Sequence, residues 1–451
     1  MSNQQGKEKS YGHGVELTNR TVGTMPGYTT IHTGEKDLDK EGNNVQDENF
    51  EKNSISFFGR QFNRVVMVTH VNIFLYSCGF WVQQAVFPYL TRRLGADPLT
   101  FGYLQTTFAV VQLAGGPLFG RFGDLCGSRQ AMTLAFASAG LSYFLLAIAS
   151  SIPLLFLSRL PSIFMHAMQA GQMIVTDVCS SKNRADALGK LGISYGVGMV
   201  IGPMIGGFVS RFYSIEKAAL VACILSLVSI AITYACVPST VKKSAARQDT
   251  NIFSPAKIFR LLQARGAFFL LVVKMVTGVP MGIFQSMFAV VAVKEFQLAP
   301  YQNSYVMSYV GIMAMMVQGV GIGFVTKRFS EMSILTGSVI SGMVGYLMIP
   351  FVSSIWHMCV VLIPLIVGLT FQNVVTTSAL TRTVSQADTG AMLGLNMAVN
   401  SLVRSISPTI GGYMLSRFGF DSFGYVGFGA CAVVTVVLLC KRSRTGLITR
   451  L

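Results

Sequence analysis

Polar side chains are scarce in the long apolar stretches of this chain, and where they occur they keep a spacing. Residues 153–176 carry Arg159, Ser162, His166, Gln169 and Thr176, with Asp177 next. Steps of three and four place Arg159, Ser162, His166 and Gln169 on one face of a helix. Lys274, Thr277, Met281 and Gln285 share a face in a later stretch, and Asn396, Asn400, Arg404 and Ser407 in another. Gln372 and Asn373 sit together in a third, and His70, Gln83 and Gln84 interrupt the first apolar block. Such groups can bind a polar solute, relay a proton or hold a buried ion. Histidine titrates in the neutral range, so His166 is the first candidate proton carrier, with His70 and Asp177 behind it. A histidine held by hydrogen bonds for packing is an equal reading of His166. Snorkelling is the competing reading of Arg159 and Lys274, whereas Arg404 lies deep enough to need a partner or an aqueous cavity.

The elements that must position these residues follow from composition. The 451 residues are 51% hydrophobic and 12% charged, and mean hydropathy is +0.54. Soluble domains carry about 25% charged residues. The apolar residues come in blocks of about 20, the length that crosses a hydrocarbon core of roughly 30 Å as a helix. The expectation is an all-α membrane protein with twelve transmembrane helices. They are expected at about 65–89, 100–119, 131–150, 153–176, 187–209, 218–237, 267–292, 304–326, 332–352, 356–378, 389–414 and 422–440.

The net charge of +16 is topology information and not a nucleic-acid footprint, because Lys and Arg fall in short loops between apolar blocks. Basic residues are roughly three- to four-fold more abundant on the side that holds both ends of the chain, which places both termini in the cytoplasm. The plasma membrane and an internal membrane both stay open. Residues 1–60 form a polar tail expected to be disordered. Residues 61–237 and 266–441 form two six-helix halves, 238–265 a basic cytoplasmic linker, and 442–451 a second tail. The eight cysteines contain no C-x-x-C pair, so no metal site and no disulfide framework is read. No nucleophile triad or phosphate loop is legible, so neither an enzyme nor a cofactor is expected.

The halves resemble each other. A shift of 205 superimposes Pro203 on Pro408, Gly206 and Gly207 on Gly411 and Gly412, and Gly189 on Gly394. The stretch LGKLGISYGVGMVIGPMIGG (188–207) holds seven glycines. Gly198, Gly202 and Gly206 recur every four residues, a bare helix face that admits a close neighbour. The turn GGPLFGRFGDLCGSRQAM (115–132) places Gly120, Asp124, Gly127 and Arg129 between two spans.

Together these features resemble the major-facilitator transporters, and specifically those of drug:proton antiporter type. The turn resembles the family signature between spans two and three. The resemblance implies that Asp124 and Arg129 join a gating relay with Asp177 and Arg184 in TDVCSSKNRADALG (176–189). Gly189, Gly198, Gly202, Pro203, Gly206 and Gly207 match all six fixed positions of the family's antiporter motif. NIFLYSCGFWVQQAVFPYLTRRLGA (72–96) resembles the first span of such antiporters, but Tyr76 stands near a position where many carry an acidic residue. The turn 323–332 of the second half lacks the aspartate.

The resemblance implies two pseudo-repeats working by alternating access and export of organic cations or drug-like amphiphiles in exchange for protons, with the lipid bilayer as the other partner. The residues themselves leave cargo open. Tyr76, Phe80, Arg159, Gln169, Lys274, Gln285, Gln372, Asn396, Asn400 and Arg404 are the substrate-cavity candidates. No Asp or Glu lies centrally in a span, and Arg159, Lys274 and Arg404 favour organic anions or lipid-like solutes without proton coupling. A non-transporting membrane scaffold is the third reading.

Overall fold

The computed structural model describes residues 54–57, 60–179, 181–239, 255–264, 266–385 and 388–448. The expected tail up to residue 53, most of the linker, the side chain of Arg184 and the last three residues lie outside the described residues. At the start, β1 (Ser54–Phe57) pairs antiparallel with β2 (Arg60–Asn63), Ser54 opposite Asn63. Every described element after them is a helix.

The first half contains α1 (Arg64–Arg93), α2 (Pro98–Cys126), α3 (Ser128–Ala147), α4 (Ile152–Leu157), α5 (Ala167–Val178), α6 (Ser181–Phe212) and α7 (Ile215–Cys236). A short helix, α8 (Pro255–Gln263), precedes the second half. That half contains α9 (Ala267–Lys294), α10 (Pro300–Met316), α11 (Ile322–Thr326), α12 (Glu331–Met348), α13 (Ile355–Arg382), α14 (Thr389–Arg417) and α15 (Asp421–Ile448). Asn63 starts α1 by accepting hydrogen bonds from the amides of Val65 at 2.9 Å and Val66 at 3.3 Å, satisfying donors that a helix end leaves free. Pro88, Pro117, Pro203, Pro280, Pro364 and Pro408 all lie inside helices. Lipid enforces the helical state there, because backbone groups have no alternative partner.

Among the described residues nine helices are long and apolar enough to cross a membrane. The other three expected crossings are also helical but more polar or broken. They are α2, the α4–α5 pair and α14, and the reason is chemical: α2 and α14 line the seam between the halves, and α14 carries Asn396, Asn400 and Arg404. Outward faces bear large apolar side chains such as Phe208, Phe212 and Val433, as a lipid-facing surface requires.

Packing follows the internal repeat. Within each half, α1 packs on α6 and α9 on α14; across the halves, α6 packs on α10 and α2 on α14. The glycine pairs explain why. A Cβ at Gly206 would come 3.2 Å from the Val82 carbonyl of α1, and one at Gly207 would come 2.6 Å from the Ser304 side chain of α10. One at Gly411 would come 2.7 Å from Met287 of α9, and one at Gly412 would come 2.5 Å from the Pro98 carbonyl of α2. The first glycine of each pair thus admits a helix of its own half, and the second a helix of the other. Gly198 and Gly202 also lie against α1, at Ser77 and Cys78, whereas Gly189 and Gly394 have open space beside them.

Two ends can be told apart. The turn end carries the 127 loop. At the opposite end, here the far end, the halves are tied: Tyr89 Oη donates to the Leu298 carbonyl at 2.9 Å, and Arg92 Nη1 to the Val293 carbonyl at 3.1 Å. The Arg211 guanidinium lies 4.8 Å from the Tyr301 ring centre. Phe87, Leu90, Phe101 and Leu104 of the first half belong to the apolar core that runs through the second.

Candidate functional site

A cavity of about 440 Å³ opens among α9, α12, α13, α14 and α15, all in the second half. Of the candidates read from sequence, Lys274, Gln285, Gln372, Asn400 and Arg404 line it, together with Thr277, Asn373 and Thr377. No lining residue is acidic. Gln372 Nε2 donates to Thr277 Oγ1. Lys274 is 4% exposed, and its Nζ donates to Asn396 Oδ1 at 2.7 Å. Asn396 Nδ2 in turn donates to Thr377 Oγ1 at 3.2 Å. Asn396 therefore stands just behind the cavity wall and orients the ammonium.

Magnitudes bear on what Lys274 is for. A lysine at the middle of a membrane helix costs about 2.5–3.5 kcal/mol on insertion scales. One hydrogen bond to a charged group contributes about 1.5–3 kcal/mol. Lys274 lies about two turns inside the start of its helix and not at its middle, so its burial costs less than that, and the bond to Asn396 offsets it.

The first-half candidates sit elsewhere. Tyr76 is buried; its Oη donates to the Met165 carbonyl at 3.0 Å, and its ring lies 6.5 Å from Phe80 and 6.2 Å from Phe136. Phe80 also packs 5.7 Å from Trp81 and 6.2 Å from Phe108. Gln169 lies against Gly120 of α2. Arg159 is 1% exposed, its guanidinium 4.0 Å from the Phe87 ring centre. It neither snorkels to a surface nor lines the cavity.

The one-face reading of the fourth span is corrected by the backbone. That span is broken: α4 ends at Leu157, a tight helical turn occupies Leu160–Phe164 with Pro161 in its first positions, and α5 begins at Ala167. Proline removes a ladder donor and collides with the preceding turn, so Arg159 and His166 belong to different segments. His166 stands at the start of α5, its ring 5.3 Å from Phe119 and its Nε2 without a partner among the described residues.

The halves also meet at Arg404 and at residues that no motif marks. Arg404 Nη2 donates to Gln112 Oε1 of α2 at 3.0 Å, and Gln112 Nε2 donates to the Met165 carbonyl at 3.1 Å. Thr106 Oγ1 donates to the Ser405 carbonyl at 2.9 Å and lies 2.8 Å from Thr409 Oγ1. A signal existed for Gln112, an isolated amide in the apolar run 108–119.

At the turn end Asp124 is exposed. Gly127 has φ 91°, a left-handed value suited to glycine. Arg129 Nη2 donates to the Tyr234 carbonyl at 3.1 Å, with its guanidinium 4.6 Å from the Tyr234 ring centre. Asp177 is half-buried at the end of α5. His70 Nδ1 lies 2.9 Å from Ser194 Oγ, on the face α1 turns to α6. In the second half Glu331 begins α12, accepts from Ser378 Oγ at 2.9 Å and faces Arg382 at 3.4 Å.

Residues 69–387 match the family model described as Major Facilitator Superfamily. The chain is 39% identical over 389 residues to solute carrier family 22 member 18 of Mus musculus, covering 84% of this chain and 96% of the relative. It is 25% identical over 392 residues to the class E tetracycline resistance protein of Escherichia coli, covering 84% and 95%. The crystal structure of the nucleoside transporter NupG superimposes with a TM-score of 0.69 at 16% identity, covering 83% of this chain and 98% of that one.

Proposed function

The chain belongs to the Major Facilitator Superfamily, and from that premise we propose that it carries a small organic anion across the membrane by alternating access. The observation that carries the anion is the cavity, where Lys274 and Arg404 are lining residues and no carboxylate is. A cationic solute would meet two like charges there, and an anionic one would meet two donors. Lys274, held by Asn396, supplies one charged hydrogen bond, and Arg404 supplies a planar fork suited to a carboxylate. Gln285, Gln372 and Asn400 remain to read neutral polar groups. The turn end faces the cytoplasm on this reading, by the excess of basic residues there, so the far end is the closed outer gate.

The test is uptake by proteoliposomes of two dyes of similar size and opposite charge, carboxyfluorescein and a cationic rhodamine ester. Saturable uptake of the anion that exceeds the cation at least tenfold is the expected result. Uptake of the cation alone would overturn it.

A second reading has one observation of its own. Tyr76, Phe80, Trp81 and Phe108 form a contiguous aromatic group in the first half, which suits an organic cation through ring faces. With a relative named for tetracycline resistance, that group supports drug:proton exchange, for which His166, His70 and Asp177 are the candidate proton carriers. Dependence of rhodamine uptake on an imposed pH gradient would favour it.

A further inference from the structure

The seam between α2 and α14 is a row of ties running from the far end to the middle of the molecule. Gly412 lies against the Pro98 carbonyl and Gly102 against the Pro408 carbonyl. Thr106 follows, bonded to Ser405 and Thr409. The last tie is Arg404 to Gln112. Past it, Gly394 of α14 has open space beside it.

That last tie differs from the others in two ways. It is the one with a charged member, and that member lines the cavity. Gln112 is also fixed at its other end, where the Met165 carbonyl accepts from Gln112 and from Tyr76 at the break in the fourth span. One amide therefore joins the cavity arginine to the least regular segment of the first half.

We propose that Gln112 is a lock that holds the two halves together through Arg404, and that an acidic group entering the cavity opens it by taking the arginine. The physics is a competition. A carboxylate meets a guanidinium with a full opposite charge and two parallel bonds, where the neutral amide offers one bond and no charge. A solute moves a conformational equilibrium only by its difference in affinity for the two states. Gln112 supplies that difference, because it competes for Arg404 in the far-end-closed state and not when the seam has parted. Once Arg404 is taken, the row keeps only hydroxyl and backbone contacts and can open from the cavity end. The lock itself is independent of solute charge; its release by an acid rests on the anion reading above.

A Thr106→Cys and Thr409→Cys pair reports the seam by its rate of oxidative cross-linking, with Cys126 and Cys440 replaced by serine. Without any solute, Gln112→Ala slows cross-linking at least fivefold. Gln112→Asn, which keeps the amide but shortens its reach, gives the same direction should the alanine variant fold poorly. In wild type, saturating carboxyfluorescein slows cross-linking. Gln112→Glu, which offers Arg404 a carboxylate of its own, keeps cross-linking fast in its presence and lowers transport at least tenfold. Cross-linking unchanged in Gln112→Ala and Gln112→Asn without solute overturns the lock. If carboxyfluorescein does not move in wild type, the anion reading fails, and the solute-free comparison still decides whether Gln112 locks the seam.

Discussion

Gly206 and Gly207 in the first half have the same tasks as Gly411 and Gly412 in the second, yet Arg159 in the first half and Lys274 in the second do not. Each glycine pair admits one helix from its own half and one from the other. Arg159 is sealed against Phe87, while Lys274 lines a cavity. The difference teaches which features an internal repeat holds in register. Two backbones meet closely only where side chains are absent at set positions, so the repeat is strict at those positions. A cavity-lining charge needs only a wall to stand on, and here Lys274 stands in the second half.

The largest effect expected concerns the shared feature. Gly207→Leu and Gly412→Leu each drive a side chain into a helix of the other half. Each should lower transport about 100-fold, about 2.7 kcal/mol on the limiting barrier, with the protein still inserted. Initial rates in proteoliposomes check this, and a loss in only one of the two would break the equivalence.

The next prediction sharpens the contrast. Lys274→Met should lower carboxyfluorescein uptake about 10- to 100-fold, the loss of a charged hydrogen bond of about 1.5–3 kcal/mol. Arg159→Met should leave the half-saturating dye concentration within about twofold, because Arg159 is buried away from the cavity. A shift of half-saturation in Arg159→Met larger than in Lys274→Met would move the site into the first half.

The two turns offer a smaller comparison. Asp124→Asn and Arg129→Ala should slow turnover about three- to ten-fold without loss of expression, about 0.7–1.4 kcal/mol, if the first turn gates as its resemblance implies. Wild-type turnover in both would remove the gate from the account. Glu331, already engaged with Ser378 and Arg382, is a local brace, and Glu331→Gln should change turnover less than Asp124→Asn.

The smallest effect lies at the far end. Asp97 caps α2 by accepting from the Thr100 amide at 2.8 Å, and the Thr100 hydrogen bonds hold its carboxyl below the usual range. The matching start of α10 has Ala299, whose amide donates to Gln302 Oε1 at 2.8 Å. Asp97→Ala should cost about 1 kcal/mol of stability, read by thermal unfolding in detergent. The folded carboxyl titrates lower than the unfolded one, so its contribution is full above the ordinary carboxylate pKa and fades as pH falls through the depressed value. An equal loss at pH 3 and pH 7 would contradict the cap.

Much of this was legible in the chain because lipid leaves few options. A polar residue inside an apolar block must face protein or water, so type and position alone name Lys274, Gln285, Gln372, Asn400 and Arg404, which line the second-half cavity, but also Tyr76, Phe80 and Gln169, which do not. The glycine pairs were legible because spacing is their function. Arg159 was not, since an unbroken helix would have put it on a face with His166, and the break depends on how the Pro161 turn packs. Gln112 escaped for another reason: its partners, Arg404 and the Met165 carbonyl, come from remote parts of the chain, and no periodicity announces a contact between halves.

The central claim is that the second-half cavity selects for negative charge through Lys274. The ratio of carboxyfluorescein to cationic rhodamine uptake, in proteoliposomes of wild type and of Lys274→Met, tests it most directly. The account predicts a ratio above ten in wild type that falls at least tenfold in the variant. A ratio below one in wild type, or one unchanged by the substitution, would contradict it.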